Sequence, residues 1–316
     1  MQISDRFSPR SNADGLLVSC PNDDSRGGIY YVHGQGEEVD RVYMTSCMGL
    51  TKFGAGYIVA SQSIGTSHLL EDGFSRDHSV VFLNSHFETV SEAPVSGLGM
   101  GDLHDILAVD DTLYVVDTRG NRVVAFTISP LSIMAHLPLG EHSIVPAREW
   151  SYDVASEPDA CHVNSICLMK GRLYAAIFGP FKRYREYEGR GYDGQILDIT
   201  DGFVPFGARS RSPRAPIVLS GLADPHSLIA TAHGVMLAES RIQSIRRGQQ
   251  LVTRFSSGYI RGLLVEGHHL WVGHSGSRHA PTLPQSSSLL AFNLCRSQVE
   301  SRIEIPAREI YSIIKT

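Results

Sequence analysis

Three histidines stand at the same place in three similar segments of the chain. His104, His162 and His226 each precede a short apolar run, which is followed by a turn and a second β-rich run. Neutral imidazoles that converge are good ligands for divalent metals. Three such ligands with an open position suit a metal that activates water or polarises a carbonyl. We therefore predict that the trio binds a divalent metal, with Zn, Fe, Mn or Ca as the candidate ions.

Two further segments repeat the pattern with another residue in the histidine position, Met48 in one and Arg261 in the other. Short β-branched and aromatic runs dominate the chain, Gly, Asp, Asn and Ser separate them, and no extended window has helical periodicity. These features are typical of antiparallel hairpins. A repeat of roughly forty to sixty residues built from four strands is the signature of a β-propeller.

Counting the repeats predicts an all-β, six-bladed β-propeller that forms a single domain over residues 1–316. Five blades begin at the positions of Met48, His104, His162, His226 and Arg261. The C-terminal segment REIYSIIKT has no partners after it, and three N-terminal runs have no inner strand before them. We expect the C-terminal strand to lie innermost in the sixth blade with the N-terminal strands outside it, because this closure removes exposed sheet edges.

The inner strands of a propeller all run in one direction, so their first residues meet at one end of the channel. Besides the histidines, we expect three catalytic residues there. Glu239 is a fourth ligand or a general base, Asp105 holds a ring histidine in one tautomer, and Arg261 supplies positive charge for an anionic group. The predicted substrate-binding residues are those near the same opening: Gln62, Asp117, Arg119, Asn164, Arg241 and His274.

Bulk composition excludes several classes of partner. The net charge of −5 argues against nucleic acid, and no apolar stretch is long enough to span a bilayer. The five cysteines are scattered without a CxxC pair, and the first residues do not form a secretory signal. We expect a cytoplasmic protein that acts on a small molecule without nucleic acid or membrane partners. The sequence carries no signal of oligomeric state.

The segments also resemble a known family. LHDILAVDDTLYVVDTRGN, ACHVNSICLMKGRLYAAIFG, ADPHSLIATAHGVMLAES, YIRGLLVEGHHLWVGHS and the ending REIYSI are similar to a bacterial group of conserved hypothetical propeller-like proteins, classed as a domain of unknown function. The resemblance implies six blades and no particular activity. The matching positions are His104, Asp105, His162, Asn164, His226, Glu239 and Arg261. Asp117 stands where the family pattern has Asn. The architecture is more distantly similar to lactonases and strictosidine synthases, at the level of fold alone.

Three functions follow from these features. The first is a metal-dependent lyase, isomerase or hydrolase for a small polar or anionic substrate. The second is a metal-free acid–base enzyme of natural-product biosynthesis that condenses or cyclises a precursor, with Glu239 as the key residue. The third is a non-catalytic propeller that binds a ligand or protein. The insertion at residues 180–194 is either a lid over the opening or an exposed loop.

Overall fold

The computed structural model describes residues 15–21, 26–34, 36, 38–63, 77–131, 141–152, 156–208, 215–276 and 286–316. The N-terminal strands are β1 (Gly15–Cys20), β2 (Gly28–His33) and β3 (Glu38–Tyr43). The first complete blade contains β4 (Cys47–Phe53), β5 (Gly56–Ser63), β6 (Asp77–Leu83) and β7 (Thr89–Pro94). The second contains β8 (Leu103–Val109), β9 (Thr112–Asp117), β10 (Arg122–Leu131) and β11 (Glu141–Ser151).

The remaining blades follow the same pattern of four antiparallel strands. The third contains β12 (Ser165–Met169), β13 (Arg172–Ile177), β14 (Gly194–Asp198) and β16 (Ile217–Leu222), with the short β15 (Val204–Pro205) between the last two. The fourth contains β17 (Pro225–Thr231), β18 (Gly234–Glu239), β19 (Ser244–Arg247) and β20 (Gln250–Arg254). The fifth contains β21 (Tyr259–Glu266), β22 (His269–Ser275), β23 (Ser287–Asn293) and β24 (Gln298–Ile305). The last strand is β25 (Ser312–Lys315).

The ring closes as the sequence predicts. The sixth sheet has the order β25-β1-β2-β3, and β25 pairs antiparallel with β1 through Val18 and Ile313 among others. The C-terminal strand is therefore innermost and the three N-terminal strands lie outside it, so the chain ends supply neighbouring strands of one blade. The all-β, six-bladed propeller is confirmed.

The strands differ in burial according to their place in the blade. Every residue of β1 and β23 is buried, because neighbouring blades cover both faces. Most residues of the outer strand β24, QVESRIEI, are instead exposed. The only helices in the described part of the chain are two 3-10 turns, Ser96–Leu98 and Ser240–Ile242. No helix there has the length and apolar character to cross a bilayer.

The second blade is longer than the sequence predicts. Its expected end near residue 139 lies outside the described residues, and its outer strand β11 continues to Ser151. The short strand β15 then pairs with β11, through Val204 and Glu149, and gives this sheet a fifth strand. The chain of the third blade thus covers the outer edge of the second, which protects that edge from pairing elsewhere.

Polar side chains in or just before the inner strands join each blade to the next. In four successive blades, a side-chain oxygen accepts a hydrogen bond from a backbone N–H of the following blade. The pairs are Thr51 with Ala108 at 3.3 Å, Asp105 with Ile166 at 2.9 Å, Ser165 with Leu228 at 2.6 Å and Ser227 with Gly262 at 2.7 Å. These bonds fix the relative position of neighbouring inner strands, and so of the residues at their beginnings.

Candidate functional site

The three histidines lie at the start of successive inner strands, as their spacing predicts. His104 is in β8, His226 is in β17, and His162 lies three residues before β12. All three are buried. His162 has a φ of 49°, in the left-handed region. Sparsely populated backbone conformations of this kind persist where the surroundings enforce them, and they cluster at functional sites.

Two of the histidines are held by a backbone carbonyl two residues earlier. The Nδ1–H of His104 donates to the Asp102 carbonyl at 2.9 Å, and the Nδ1–H of His226 donates to the Asp224 carbonyl at 2.9 Å. Ser240 Oγ also lies 2.9 Å from His226 Nδ1, and it gives its own proton to the Ile260 carbonyl. Both aspartates have a positive φ, 53° and 51°. The same local turn therefore orients both imidazoles.

His162 is held differently, by a carboxylate. Its Nδ1 lies 2.7 Å from Asp159 Oδ1. The other carboxylate oxygen accepts the Tyr187 hydroxyl at 2.8 Å, and the Arg185 guanidinium lies 3.7 Å away. Asp159 and Tyr187 are both buried. The arrangement is an aspartate–histidine dyad whose aspartate is itself fixed by a tyrosine.

His104 and His226 are neutral at ordinary pH. Burial lowers the pKa of His104 from 6.5 to about 4, with the nearby Asp102 opposing this and His162 and Arg261 adding to it. Burial and then Arg261 lower the pKa of His226 well below its usual value. Because Nδ1 carries the proton in each ring, Nε2 carries the lone pair. Neither Nε2 has a hydrogen-bond partner among the residues that the structure describes.

The imidazoles are not arranged as one metal site. The rings of His104 and His162 are 4.9 Å apart, but the ring contacts of His226 are with Phe178 at 5.0 Å and Tyr259 at 5.7 Å. Phe178 also packs against His162 at 4.3 Å. Within the described ranges, no group of three or more His, Cys, Asp or Glu side chains could hold a metal ion. The three-histidine metal centre therefore stays a prediction without support from the geometry.

Arg261 of the fifth blade and Tyr311 of the sixth lie beside the three histidines. We call His104, His162, His226, Arg261 and Tyr311, with the aromatic residues between them, the central cluster. Arg261 is buried, its Nη1 lies 3.4 Å from Glu309 Oε2, and its guanidinium lies 4.6 Å from the Tyr259 ring and 5.1 Å from the Tyr311 ring. Tyr311 also packs against His104 at 5.6 Å. The segment that precedes β25 thus brings an aromatic ring into contact with residues of two other blades.

Two predicted site residues make hydrogen bonds and ion pairs inside their own blades. Asp117 and Glu239 stand at the ends of β9 and β18, and both are fully buried. Asp117 accepts the Gly101 N–H at 3.0 Å and pairs with Arg122 at 2.7 Å. Glu239 makes the same two contacts, with the Ala223 N–H at 3.1 Å and Arg246 at 2.6 Å. Each carboxylate ties the loop before the ring histidine to its own blade, and the expected role of Glu239 as base or metal ligand has no support from these contacts.

Asp105 does not make the predicted contact with a ring histidine. Its carboxylate accepts the N–H groups of Ile106 and Ile166, both at 2.9 Å. Burial raises its pKa to about 6, against the hydrogen bonds that lower it. The pairing of β8 with β9 is irregular between Leu103 and Ile106, the stretch that contains His104 and Asp105. The two side chains bond to different groups, and Asp105 carries the connection to the third blade described above.

The remaining predicted substrate-binding residues make contacts at the rim of the channel or inside the blades. Arg241 pairs with Asp224 at 3.1 Å and so contacts the loop before His226. His274 Nε2 lies 2.9 Å from the Ser257 carbonyl. The backbone carbonyl of Arg119 accepts the Asp159 N–H at 2.9 Å, and Gln62 is buried on β5. Asn164 contacts the central cluster, since its carbonyl accepts the Tyr311 hydroxyl at 3.2 Å.

The residues that hold the imidazoles were missed in the sequence. Asp102, Asp159 and Asp224 stand two or three positions before their histidines, in GDLH, DACH and DPH. This recurrence was the available signal. Tyr187 carries no such signal, because it lies in the insertion and reaches Asp159 only through the fold.

The insertion at residues 180–194 covers one side of the site. The Glu157 N–H donates to the Lys182 carbonyl at 2.8 Å, and the Arg185 N–H donates to the Asp159 carbonyl at 3.2 Å. The Tyr187 ring lies 4.7 Å from His162. Hydrogen bonds and packing therefore hold the segment on the dyad in this structure, so it forms a cover with buried contacts rather than a wholly exposed loop.

Comparisons with known proteins support the fold. Neither family models nor curated proteins match this sequence, so the family resemblance is not confirmed. A Bacteroides fragilis protein described provisionally as a 6-phosphogluconolactonase matches with a TM-score of 0.59 and 9% identity, over 98% of this chain and 100% of its own. A chain of the nidogen/laminin complex matches with a TM-score of 0.56 and 12% identity, over 96% and 98%. A Thermus thermophilus protein described provisionally as an oxidoreductase (glucose dehydrogenase) matches at 0.53 and 16%, over 88% and 92%. At such identities these likenesses establish the propeller fold and no activity.

Proposed function

We propose that this chain is an enzyme that moves protons at the histidine end of the channel, with His162 as the general base and Asp159 as the residue that orients it. Hydrolysis of a small polar ester or lactone is the reaction class that we favour. The observation that carries the proposal is the 2.7 Å contact between His162 Nδ1 and Asp159 Oδ1. Among His104, His162 and His226, only His162 has a carboxylate contact of normal hydrogen-bond length in the described residues.

The chemistry follows from that contact. Asp159 accepts the Nδ1–H of His162, so the Nε2 lone pair is available to take a proton from water. As the water oxygen attacks the substrate carbonyl carbon, the proton moves to Nε2, and Asp159 stabilises the resulting imidazolium. When the carbon–oxygen bond to the leaving group breaks, Nε2–H returns the proton to the leaving oxygen. The Tyr187 hydroxyl keeps the Asp159 carboxylate in place throughout.

Arg261 supports the same step as a source of positive charge. Negative charge develops on the carbonyl oxygen during the attack, and a preorganised donor in a buried site stabilises it strongly. The Nε of Arg261 is buried and has no hydrogen-bond partner among the described residues. We propose that the Arg261 guanidinium acts on that oxygen through its positive charge, while its Nε–H remains available to another polar group of the substrate.

His104 and His226 are poor general bases, because burial lowers the pKa of each. The pKa of His104 is lowered to about 4 and that of His226 lies well below its usual value. A general base works best when its pKa is near the working pH. We propose that His104 and His226 act as hydrogen-bond acceptors for the substrate. The fold likeness to a protein described provisionally as a 6-phosphogluconolactonase agrees with hydrolysis but is a likeness of fold alone.

A panel of small esters and lactones tests the proposal, with turnover followed by proton release. We expect one or more substrates to be hydrolysed by the natural protein, and we expect His162→Gln to lose at least a hundredfold in kcat. His233→Gln is the matched control, because His233 is exposed in the turn between β17 and β18. Turnover that survives in His162→Gln would refute the assignment of the base.

A metal-dependent enzyme is the second candidate. The Nδ1 of each imidazole contacts a carbonyl or carboxylate, an arrangement that metal-binding histidines commonly have, and His104 and His162 lie 4.9 Å apart. These two residues would hold the ion, which would supply Lewis acidity. Metal analysis of the purified protein and a chelator added to the assay separate the candidates. Activity that a chelator removes and added zinc restores would favour the metal-dependent enzyme.

A further inference from the structure

We infer that the cluster binds an uncharged, hydroxyl-rich part of the substrate, through His226 Nε2 and Asn164 Oδ1 as acceptors and Arg261 Nε–H as donor. This inference rests on the proposed function for the location of the site, and it replaces the anionic substrate that the sequence suggests. It assigns to Asn164 and His226 a role in choosing the substrate that is separate from the proton transfer by His162.

The first observation is a set of buried polar atoms without partners. His226 Nε2, Asn164 Oδ1 and Arg261 Nε are each buried and have no hydrogen-bond partner within the described ranges. His226 and Asn164 are fully buried, and Arg261 is 3% exposed. Leaving a buried donor or acceptor unpaired is costly, so native proteins pair nearly all of them with protein, water or ligand. Three such atoms in one region therefore indicate a bound polar group.

The second observation is that these atoms belong to one contiguous cluster. Tyr259 contacts both the His226 ring, at 5.7 Å, and the Arg261 guanidinium, at 4.6 Å. Tyr311 contacts the same guanidinium, at 5.1 Å, and its hydroxyl reaches the Asn164 carbonyl, at 3.2 Å. The third, fourth and fifth blades thus each contribute one unpaired polar atom around the two tyrosines.

The third observation is the balance of charge. Arg261 pairs with Glu309 at 3.4 Å, Asp224 pairs with Arg241 at 3.1 Å, and Asp159 lies 3.7 Å from Arg185. Each of these cations has a carboxylate partner, so the desolvation of a substrate that carries a full negative charge is poorly repaid, and the buried guanidinium opposes an ammonium group. An uncharged ligand avoids both costs.

Hydroxyl groups fit the unpaired atoms because a hydroxyl is both donor and acceptor. One hydroxyl can donate to His226 Nε2, a second can donate to Asn164 Oδ1, and either oxygen can accept from Arg261 Nε–H. The Nδ1–H of His226 donates to the Asp224 carbonyl at 2.9 Å, so Nε2 is the acceptor of the neutral ring. The requirement for two donors is what points to a polyhydroxylated group rather than to a single alcohol.

Three probes of equal chain length separate the ligand classes. D-sorbitol carries hydroxyls and no charge, D-gluconate carries hydroxyls and a carboxylate, and hexanoate carries only a carboxylate. We expect ligand-observed NMR to detect sorbitol and gluconate binding, and to detect no hexanoate binding at the same concentration. Hexanoate binding that equals or exceeds sorbitol binding, or no sorbitol binding at all, would overturn the inference.

Variants locate the binding. His226→Phe keeps an aromatic ring and removes Nε2, and we expect the affinity for sorbitol to fall at least tenfold. Asn164→Leu is the second variant, with the same expectation. His233→Phe is the control that leaves affinity unchanged, because His233 is exposed in the turn between β17 and β18. Thermal unfolding confirms that each variant is folded. Unchanged sorbitol affinity in folded His226→Phe and Asn164→Leu would show that these atoms pair with water alone, which would overturn the inference.

The inference and the proposed function fail in different ways. His162→Gln is expected to lose turnover while keeping its affinity for sorbitol. Sorbitol binding that depends on His226, in a protein that hydrolyses nothing in the panel, would refute the hydrolase and keep the binding site. A different result would be hydrolysis that needs His162, together with hexanoate binding that exceeds sorbitol binding and weakens with added salt. That result would support the proposed enzyme and refute the hydroxyl-rich ligand.

Discussion

The Tyr311 hydroxyl donates to the backbone carbonyl of Asn164 at 3.2 Å, across 147 positions of the chain. Tyr311 immediately precedes β25, the strand that closes the ring, and its own backbone N–H donates to the Ser19 carbonyl of β1 at 2.8 Å. One residue thus contacts both the closing seam and the cluster at the channel end. Ring closure and the shape of the site are therefore physically coupled.

This coupling predicts that Tyr311→Phe affects both stability and ligand binding. Losing one hydrogen bond costs about 1 kcal/mol in the free energy of unfolding. Because Asn164 is then held less firmly, we expect the affinity for sorbitol to fall several-fold. Tyr30→Phe is a matched control, since the buried Tyr30 hydroxyl bonds to the Arg26 carbonyl at 2.8 Å and to the Pro306 carbonyl at 3.3 Å, and neither acceptor belongs to the third blade. Urea unfolding and NMR titration check the pair, and the coupling is wrong if both variants keep the affinity of the natural protein.

Asp159→Asn tests the dyad directly. The amide can no longer stabilise a positively charged His162, so we expect kcat to fall by about two to four orders of magnitude. Asp102→Asn is the comparison, because His104 is held mainly by the Asp102 backbone carbonyl at 2.9 Å while the carboxylate lies at 3.5 Å. We expect it to lose less than tenfold. A pH profile whose acid limb stays at the same pH in Asp159→Asn would contradict the proposed role, because the protonation of a general base determines that limb.

The sequence was sufficient for the fold because its signals are periodic. Turn residues at regular intervals and one polar residue at the start of each hairpin determine the blade count and the inner strands. The convergence of His104, His162 and His226 at one end then follows from topology alone. The closing order β25-β1-β2-β3 follows as well, because only that order pairs all the terminal strands.

The carboxylates could not be assigned in the same way. The sequence does not show which partner a buried carboxylate takes in the folded chain. Asp105 contacts Ile166 of the next blade, from a stretch of β8 whose pairing with β9 is irregular, and Glu239 pairs with Arg246 inside its own blade. The aspartates that do contact the imidazoles precede them in left-handed turns, at Asp102, Asp159 and Asp224. Such turns have no hydrophobic periodicity to reveal them.

Asp105→Asn distinguishes a connecting residue from a catalytic one. The carboxylate accepts two backbone N–H groups, and an amide has only one oxygen to replace it. One buried donor is then left unpaired, which costs about 1–3 kcal/mol in the free energy of unfolding. We expect kcat to stay within about threefold of the natural protein. The control Asp110→Asn lies at an exposed turn. Loss of turnover with unchanged stability would restore the catalytic role.

The neutral state of His104 predicts a dependence of stability on acid. Its pKa is about 4 in the folded protein and 6.5 ordinarily, so between these values the unfolded chain binds a proton that the folded protein does not. The free energy of unfolding therefore falls as the pH drops from 6.5 to 4, by about 3 kcal/mol at most. His226 acts in the same direction, whereas Asp105, whose folded pKa is raised to about 6, acts in the opposite one.

Comparison with His104→Phe isolates this contribution, because the other groups remain in both proteins. Urea unfolding between pH 7.5 and 4.5 should show the natural protein losing more stability than the variant over that range. The difference should develop below pH 6.5 and continue to increase toward pH 4.5, because the folded imidazole takes up its proton only near pH 4. Parallel curves for the two proteins would mean that His104 has the same pKa in the folded and the unfolded chain, which would contradict the lowered pKa.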